Sequence, residues 1–279
     1  MPTIRFKNDT DARVADHRKN FLESLDLDPA LWGEEQALEL SPTTRPRIFD
    51  IEMPVPACLL ESEQWVARFE RFDGFICFIV GDHTWAASVA GAKDLQSAVK
   101  ELPADLSCLK LANRQTLQDL SPLSGLTQLT SLNFVGCEAL TDLSPLSGLT
   151  QLTSLGFLSS RVDRVRLRSG DLTMISCKGL TDLTPLSGLT QLTSLIFERC
   201  RALTDLSPLS GLTQLTSLNL ESCKASDLSP LSGLRQLTSL NFSVCNSVTD
   251  LTPLSGLRQL TGLNLSFCSS LADLTPLSG

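Results

Sequence analysis

From about residue 106 to the end of the chain, apolar positions return on a fixed beat. In Leu129-Thr-Ser-Leu132-Asn-Phe134-Val-Gly-Cys137, apolar and polar residues alternate around Leu132 and Phe134. That alternation predicts a short strand with those two side chains in the core. Cys137 and Leu140 then turn the chain inward, and Asp142-Leu-Ser144-Pro145-Leu-Ser-Gly148 follows. Ser144 suits a helix N-cap, and Pro145 suits the first helical position, where no amide is needed. Gly148 can take the positive φ that ends a short helical turn. One unit is thus strand, turn, helical turn and return in 23 residues. The proline of each copy falls at Pro122, Pro145, Pro185, Pro208, Pro230, Pro253 and Pro276. A single unit cannot bury its leucines alone, so the copies must stack into a solenoid.

Two places depart from the beat. The step from Pro145 to Pro185 is 40 residues, one period plus 17. Within it, residues 161–177 keep a strand-like pattern and Cys177 but have no Ser-Pro-Leu-Ser-Gly. A shortened convex side and a local change of curvature are expected there. The chain also stops at Gly279, inside a repeat. The last leucine layer is expected to be open, to be covered by more chain or by another subunit, which would give a homo- or hetero-oligomer through that end.

Residues 1–105 show no such beat. Ile4 and Phe6 alternate with charged residues, which predicts a strand. Thr10 to Leu25 sets Val14, Phe21, Leu22 and Leu25 on one helical face. Phe49, Ile51 and Met53 alternate as a second strand, and Ser62 can cap a helix carrying Trp65, Phe69 and Phe72. Phe75–Val80 reads as a buried strand, and Leu95, Ala98, Val99 and Leu102 as another helical face. Strand 75–80 and helix 92–102 could already belong to the solenoid. The whole reads as an α+β domain over 1–105 that caps the solenoid of 106–279.

Charge separates the same two regions. Residues 1–105 hold 11 Lys/Arg against 19 Asp/Glu, whereas residues 106–279 hold 12 of each. The acidic first region is a poor match for phosphate backbones. Seven acids of the second region are framework residues in the turn before the helical segment: Asp119, Asp142, Asp182, Asp205, Asp227, Asp250 and Asp273. Six of the nine cysteines recur at one place in the repeat: Cys137, Cys177, Cys200, Cys223, Cys245 and Cys268, with Ser160 at that place in a further copy. A row of equivalent thiols does not pair off into disulfides. Buried free thiols are expected, which favours a reducing, cytoplasmic setting. No long apolar run predicts a membrane span, and Met1–Thr10 does not read as a secretory signal.

The pattern Leu-x-x-Leu-x-Leu/Phe-x-x-Cys-x-x-Leu resembles the leucine-rich repeat, with Cys where Asn is commoner. The Asp-Leu-Ser-Pro-Leu segment resembles the short-repeat subclass of bacterial internalin-like proteins. The resemblance implies an α/β solenoid with a parallel concave β-sheet and short convex 3-10 or helical turns. It also implies a curved surface for binding.

Comparison of the copies places the variable residues beside the strand core. Arg161, Lys178, Glu198, Arg199, Arg201, Glu221, Lys224, Val244 and Phe267 are the candidate partner-binding residues. With Arg164, Arg166 and Arg168 they predict a basic band for a protein partner with an acidic surface. Nucleic acid is disfavoured, because no aromatic residues recur at base-stacking intervals. Catalysis is not expected. His17 reads as a solvated helix residue, and the trio Cys77, Asp82, His83 has no oxyanion site. No Walker loop, GxGxxG, HExxH or metal cluster is present, so no cofactor is expected. Gly81-Asp-His-Thr-Trp85 reads as a turn with a partly exposed aromatic. The rival readings are an effector delivered into host cells with activity in its N-terminal region, secreted without a signal peptide, and a sensing or inhibitory subunit of a larger complex.

Overall fold

The computed structural model describes residues 1–7, 11–31, 37–49, 51–53, 55, 57–72, 74–90, 94–112, 115–158 and 177–278. The chain divides into two compact units, Met1–Lys110 and Leu111–Gly279.

In the first unit, β1 (Thr3–Phe6) is followed by α1 (Ala12–Glu23), β2 (Ala37–Glu39), β3 (Arg47–Ile48), β4 (Ile51–Glu52) and α2 (Ala57–Leu60). Then come β5 (Gln64–Phe72), β6 (Phe75–Val80), β7 (His83–Ala90) and α3 (Leu95–Lys100). The main sheet runs in the order β7-β6-β5-β1-β2. Asp11 caps α1 by accepting the Arg13 N–H at 2.9 Å, and Val14, Phe21 and Leu22 turn inward from the helix. They meet Ile4, Phe6, Phe69 and Phe78 in one core.

Three sequence expectations fail in this unit for physical reasons. The stretch after Ser62 is the strand β5, not a helix. Trp65, Phe69 and Phe72 fit helical spacing, but the inward set includes Ala67, fully buried beside Phe69, and its period is two. Residues 47–53 do not form one strand. Phe49 takes φ of 53° between β3 and β4, which pair with each other in a tight hairpin. Trp85 is 4% exposed and packs 5.2 Å from Phe78, so it is a core residue and not a partly exposed aromatic. The turn before it is a two-residue hairpin, Gly81-Asp82, closed by pairing of Val80 with His83. Gly81 has φ of 60°, and a Cβ there would collide with the Trp65 ring, so only glycine fits. β6 is antiparallel to both its neighbours, unlike a repeat strand.

β8 (Cys108–Ala112) contains the boundary between the units. In the second unit β9 (Ser131–Val135), β10 (Ser154–Leu158), β11 (Ser194–Phe197), β12 (Ser217–Asn219), β13 (Ser239–Asn241) and β14 (Gly262–Asn264) pair in sequence, all parallel and in register. Between strands sit one-turn 3-10 helices, each starting Ser-Pro-Leu or Thr-Pro-Leu. The leucines of each layer are buried down to Leu257. From Leu260 on, the layer is open, with Leu274 58% exposed.

The turn chemistry differs from the sequence reading. Ser144 makes no side-chain cap; its own N–H donates to Asp142 Oδ1 at 2.8 Å. The same bond recurs from Ser207 to Asp205 and from Thr252 to Asp250. The Asp therefore nucleates each turn, and the Ser or Thr hydroxyl and N–H hold its carboxyl below the usual range. Gly148 does not have positive φ; the turn closes by Leu149 N–H to Leu146 O at 3.0 Å.

A second ladder joins the layers. Thr153, Thr193, Thr216, Thr238 and Thr261 each donate both N–H and hydroxyl to the carbonyl of the equivalent threonine one layer earlier. It passes from Thr153 to Thr193 without a break. Phe157 pairs with Phe197, and Cys177 Sγ donates to Cys137 O at 3.3 Å. β11 thus pairs directly with β10, and Cys177 follows Cys137 in the cysteine row, across the long 40-residue step. Ser160 and the strand-like stretch expected before Cys177 lie outside the described residues.

Candidate recognition surface

At the end of each strand the chain must turn from the sheet toward the core. In five described layers the residue immediately before the cysteine makes that turn in the left-handed region. Gly136, Arg199, Ser222, Val244 and Phe267 have φ of 63°, 59°, 59°, 63° and 62°. Their backbone is still engaged in the sheet. Gly136 N–H donates to Leu158 O, Arg199 N–H to Glu221 O, Ser222 N–H to Ser243 O and Val244 N–H to Ser266 O, at 2.7–3.1 Å. L-residues lose about 1–2 kcal/mol in this conformation, and a β-branched valine is the least suited. A fixed backbone thus carries a different side chain outward at each layer.

The cysteine that follows points inward. Cys223 Sγ donates to Phe197 O at 3.7 Å, Cys245 Sγ to Leu220 O at 3.1 Å and Cys268 Sγ to Phe242 O at 3.1 Å. These weak donors link each layer to the one before. Burial pushes the Cys245 thiol up to about 11, and burial raises Cys223 as well. The neighbouring Cys200 thiol, with burial, raises Cys177. In the first unit, burial pushes Cys77 up to about 12. His83 Nδ1 lies 3.1 Å from Asp105 Oδ2 on the surface. The Cys77 thiol is therefore no thiolate nucleophile near neutral pH. His17 is half-buried with its ring edge-on to Phe49 at 4.9 Å, not simply solvated. Among the described residues, no group of three or more His, Cys, Asp or Glu could hold a metal.

The candidate residues fall into three settings. Lys178 Nζ lies 2.9 Å from Glu138 Oε2, and Arg199 Nε lies 3.7 Å from Glu221 Oε1. Such partly exposed pairs contribute about 0–1 kcal/mol each, but they neutralise part of the expected basic band. Glu198 is 8% exposed, its N–H donating to Phe157 O at 2.9 Å, so it offers little outward surface. Arg201, Lys224, Val244 and Phe267 are exposed. Arg161, with Arg164, Arg166 and Arg168, lies outside the described residues.

Sequence comparison of the copies misses a row on the strand face. Asn219, Asn241 and Asn264 each accept, through Oδ1, the N–H of the residue two further on, at 2.9–3.0 Å. Their recurrence between the two core residues of the strand is the available signal. Glu138, the partner of Lys178, holds the same variable place after the cysteine as Lys178 itself, but the sequence does not show that the two pair between layers.

A family profile for the BspA-type leucine-rich repeat region matches residues 170–278, in six copies. Among solved structures, the internalin inlF of Listeria monocytogenes aligns with a TM-score of 0.56 and 31% identity, over 69% of this chain and 50% of that one. The repeat region is a leucine-rich repeat array of the internalin-like kind. Internalin C2 of Listeria monocytogenes aligns with a TM-score of 0.48 and 30% identity, over 62% of this chain and 66% of that one. The chain thus spans half the length of the inlF structure. No match was found among functionally curated proteins. Among the described residues no helix is long and apolar enough to cross a membrane.

Proposed function

We propose that the leucine-rich repeat unit is a recognition module that binds a partner protein and carries out no catalysis. The observation behind this reading is the left-handed row. A repeated backbone presents Arg199, Ser222, Val244 and Phe267 at one place, while the Asp-Leu-Ser/Thr-Pro-Leu-Ser-Gly turn of each layer hardly changes. Purely structural selection would favour glycine there, as at Gly136. The strand face beside the row, with its half-exposed Asn219 and Asn241, enlarges the available surface. The partner is expected to carry an acidic surface, because Arg201 and Lys224 are exposed and have no ion pair among the described residues. The free thiols of the cysteine row fit a reducing, cytoplasmic setting.

The test is capture from the native cell's lysate with the whole chain, beside an Arg201→Glu/Lys224→Glu variant, followed by direct titration of the identified protein. A protein that binds the unaltered chain and is lost with the variant supports the reading. Equal binding to both removes the acidic-surface partner, and no specific binder to either removes the recognition role.

A further inference from the structure

The strand face of the array carries a row of amides held in one orientation. Asn219, Asn241 and Asn264 are register partners on β12, β13 and β14. Asn219 lies between Leu218 and Leu220, both buried, so the pleat turns its side chain to the opposite face. The other two repeat that placement. Each Oδ1 accepts the N–H two residues on, at 2.9, 2.9 and 3.0 Å. That bond turns the oxygen back on its own strand and leaves the two N–H groups of Nδ2 facing away. Among the described residues none of the three Nδ2 groups has a hydrogen-bond partner. The row itself is uncharged, and Glu221 beside it is matched by Arg199. On β11 the same register position is Ile196, a half-buried apolar side chain. The face thus offers fixed donors beside an apolar step.

Spacing selects the conformation of a ligand laid along this row. Paired strands stand about 4.8 Å apart, so Asn219 and Asn264, two strands apart, stand about 9.6 Å apart. A fully extended chain repeats a same-side carbonyl every two residues, about 6.7 Å, which matches neither interval. A polyproline II helix repeats one every three residues, three rises of about 3.1 Å, or about 9.3 Å. Its carbonyls make no internal hydrogen bonds, and its prolines have no N–H to satisfy. A segment that only accepts, at that pitch, suits a row that only donates, at that spacing. Its apolar rings suit Ile196.

We propose that the strand face of β11 to β14 binds a proline-rich segment of the partner protein in the polyproline II conformation. Carbonyls three residues apart accept from Asn219 Nδ2 and Asn264 Nδ2. This rests on the recognition role proposed above and names the conformation and chemistry of the segment it reads.

The experiment is NMR titration of the isotope-labelled full chain with decaproline, followed on the side-chain amide resonances of asparagine. Those of Asn219 and Asn264, assigned by substitution, should shift and saturate. Asn219→Asp/Asn264→Asp should weaken decaproline about tenfold or more, as loss of central contacts does. Each new carboxylate still accepts the N–H two residues on but has no donor for the peptide. Tm should therefore stay near that of the unaltered chain, a combination that a merely structural role would not produce. No saturable shift, equal affinity in the variant, or equal binding of a flexible Gly-Ser decapeptide would each overturn the proposal. The recognition role would outlive that failure if a captured protein is still lost on Arg201→Glu/Lys224→Glu. Absence of any specific binder would remove both.

Discussion

Phe78 in the first unit and Phe157 in the second are both fully buried, but different rules bury them. Phe78 meets Phe6, Phe21, Phe69 and Trp85, from four separate elements, at 4.8–6.2 Å and at interplanar angles from 21° to 56°. Phe157 lies between Phe134 and Phe197 at 5.1 and 5.2 Å, with angles of 10° and 4°. The first core is a set of unlike contacts that must all form together. The second is one contact copied from layer to layer. A repeated contact can be lost locally, because each layer leans only on its neighbours. A unique one cannot.

Truncation of one ring in each core is the strongest way to break that comparison. Phe78→Ala and Phe197→Ala should each cost about 3–5 kcal/mol. The consequences should differ in extent. Phe78→Ala is expected to lower hydrogen-exchange protection throughout Met1–Lys110. Phe197→Ala should lower it most in the layers around β10 to β12 and leave β13 and β14 closer to normal. Uniform loss across Leu111–Gly279 would show that the array unfolds as one block.

The same contrast decides what can be read from the sequence. In the array every position is written several times, so the copies themselves place Leu132 and Phe134 inward, and both are buried. In the first unit each position is written once. Trp65, Phe69 and Phe72 fit a helix, and nothing in the sequence weighs Ala67 as a core residue. Cross-strand pairing with β6 decides that segment, and pairing is a long-range fact. Within the array, errors fall where hydrogen bonds rather than burial choose the geometry. The cap belongs to Asp142 and not Ser144, and the left-handed residue is the one before the cysteine and not Gly148. The candidate site is legible as a set of variable positions. Its division into paired, buried and exposed residues is not, because Glu138 and Glu221 reach their partners between layers.

Acid sharpens the comparison next. The folded array lowers the carboxyls of Asp119, Asp142, Asp182, Asp205, Asp227, Asp250 and Asp273, through Ser or Thr hydroxyls and backbone N–H groups. A lowered folded pKa stabilises above the unfolded value and is lost as pH falls through the folded one. Protection of the array should therefore fall progressively below about pH 4. The first unit, where Asp11 is the one described carboxyl with a lowered pKa, should respond less. Hydrogen exchange across pH 2–6 would check this. Equal acid sensitivity of the two units would contradict it.

The threonine ladder is a smaller increment. Thr216→Val keeps the shape but removes the hydroxyl bond to Thr193 O, and should cost about 1 kcal/mol. The backbone bond from Thr216 N–H to the same carbonyl remains, so the strands should stay in register. Denaturant unfolding with an unchanged m-value is the expected observation. An unaltered midpoint would mean that solvent replaces the hydroxyl at no net loss.

The smallest effect has the opposite sign and separates repetition that is needed from repetition that is only inherited. The array repeats glycine after Ser-Pro-Leu-Ser and Thr-Pro-Leu-Ser. Yet Gly148, Gly188 and Gly211 have no positive φ, and each has open space where the methyl group of an alanine would sit. Nothing in the fold there requires glycine. Gly188→Ala should raise stability by about 0.4–1 kcal/mol by restricting the unfolded chain. Gly136→Ala should do the reverse, because Gly136 has φ of 63°. Val244→Gly should gain about 0.5–1 kcal/mol, the left-handed penalty less the entropy of glycine. Thermal unfolding of the three variants would rank them. If Val244→Gly proved neutral or destabilising, the strain assigned to the left-handed row would be absent, and its exposed side chains would need no functional reason to be there.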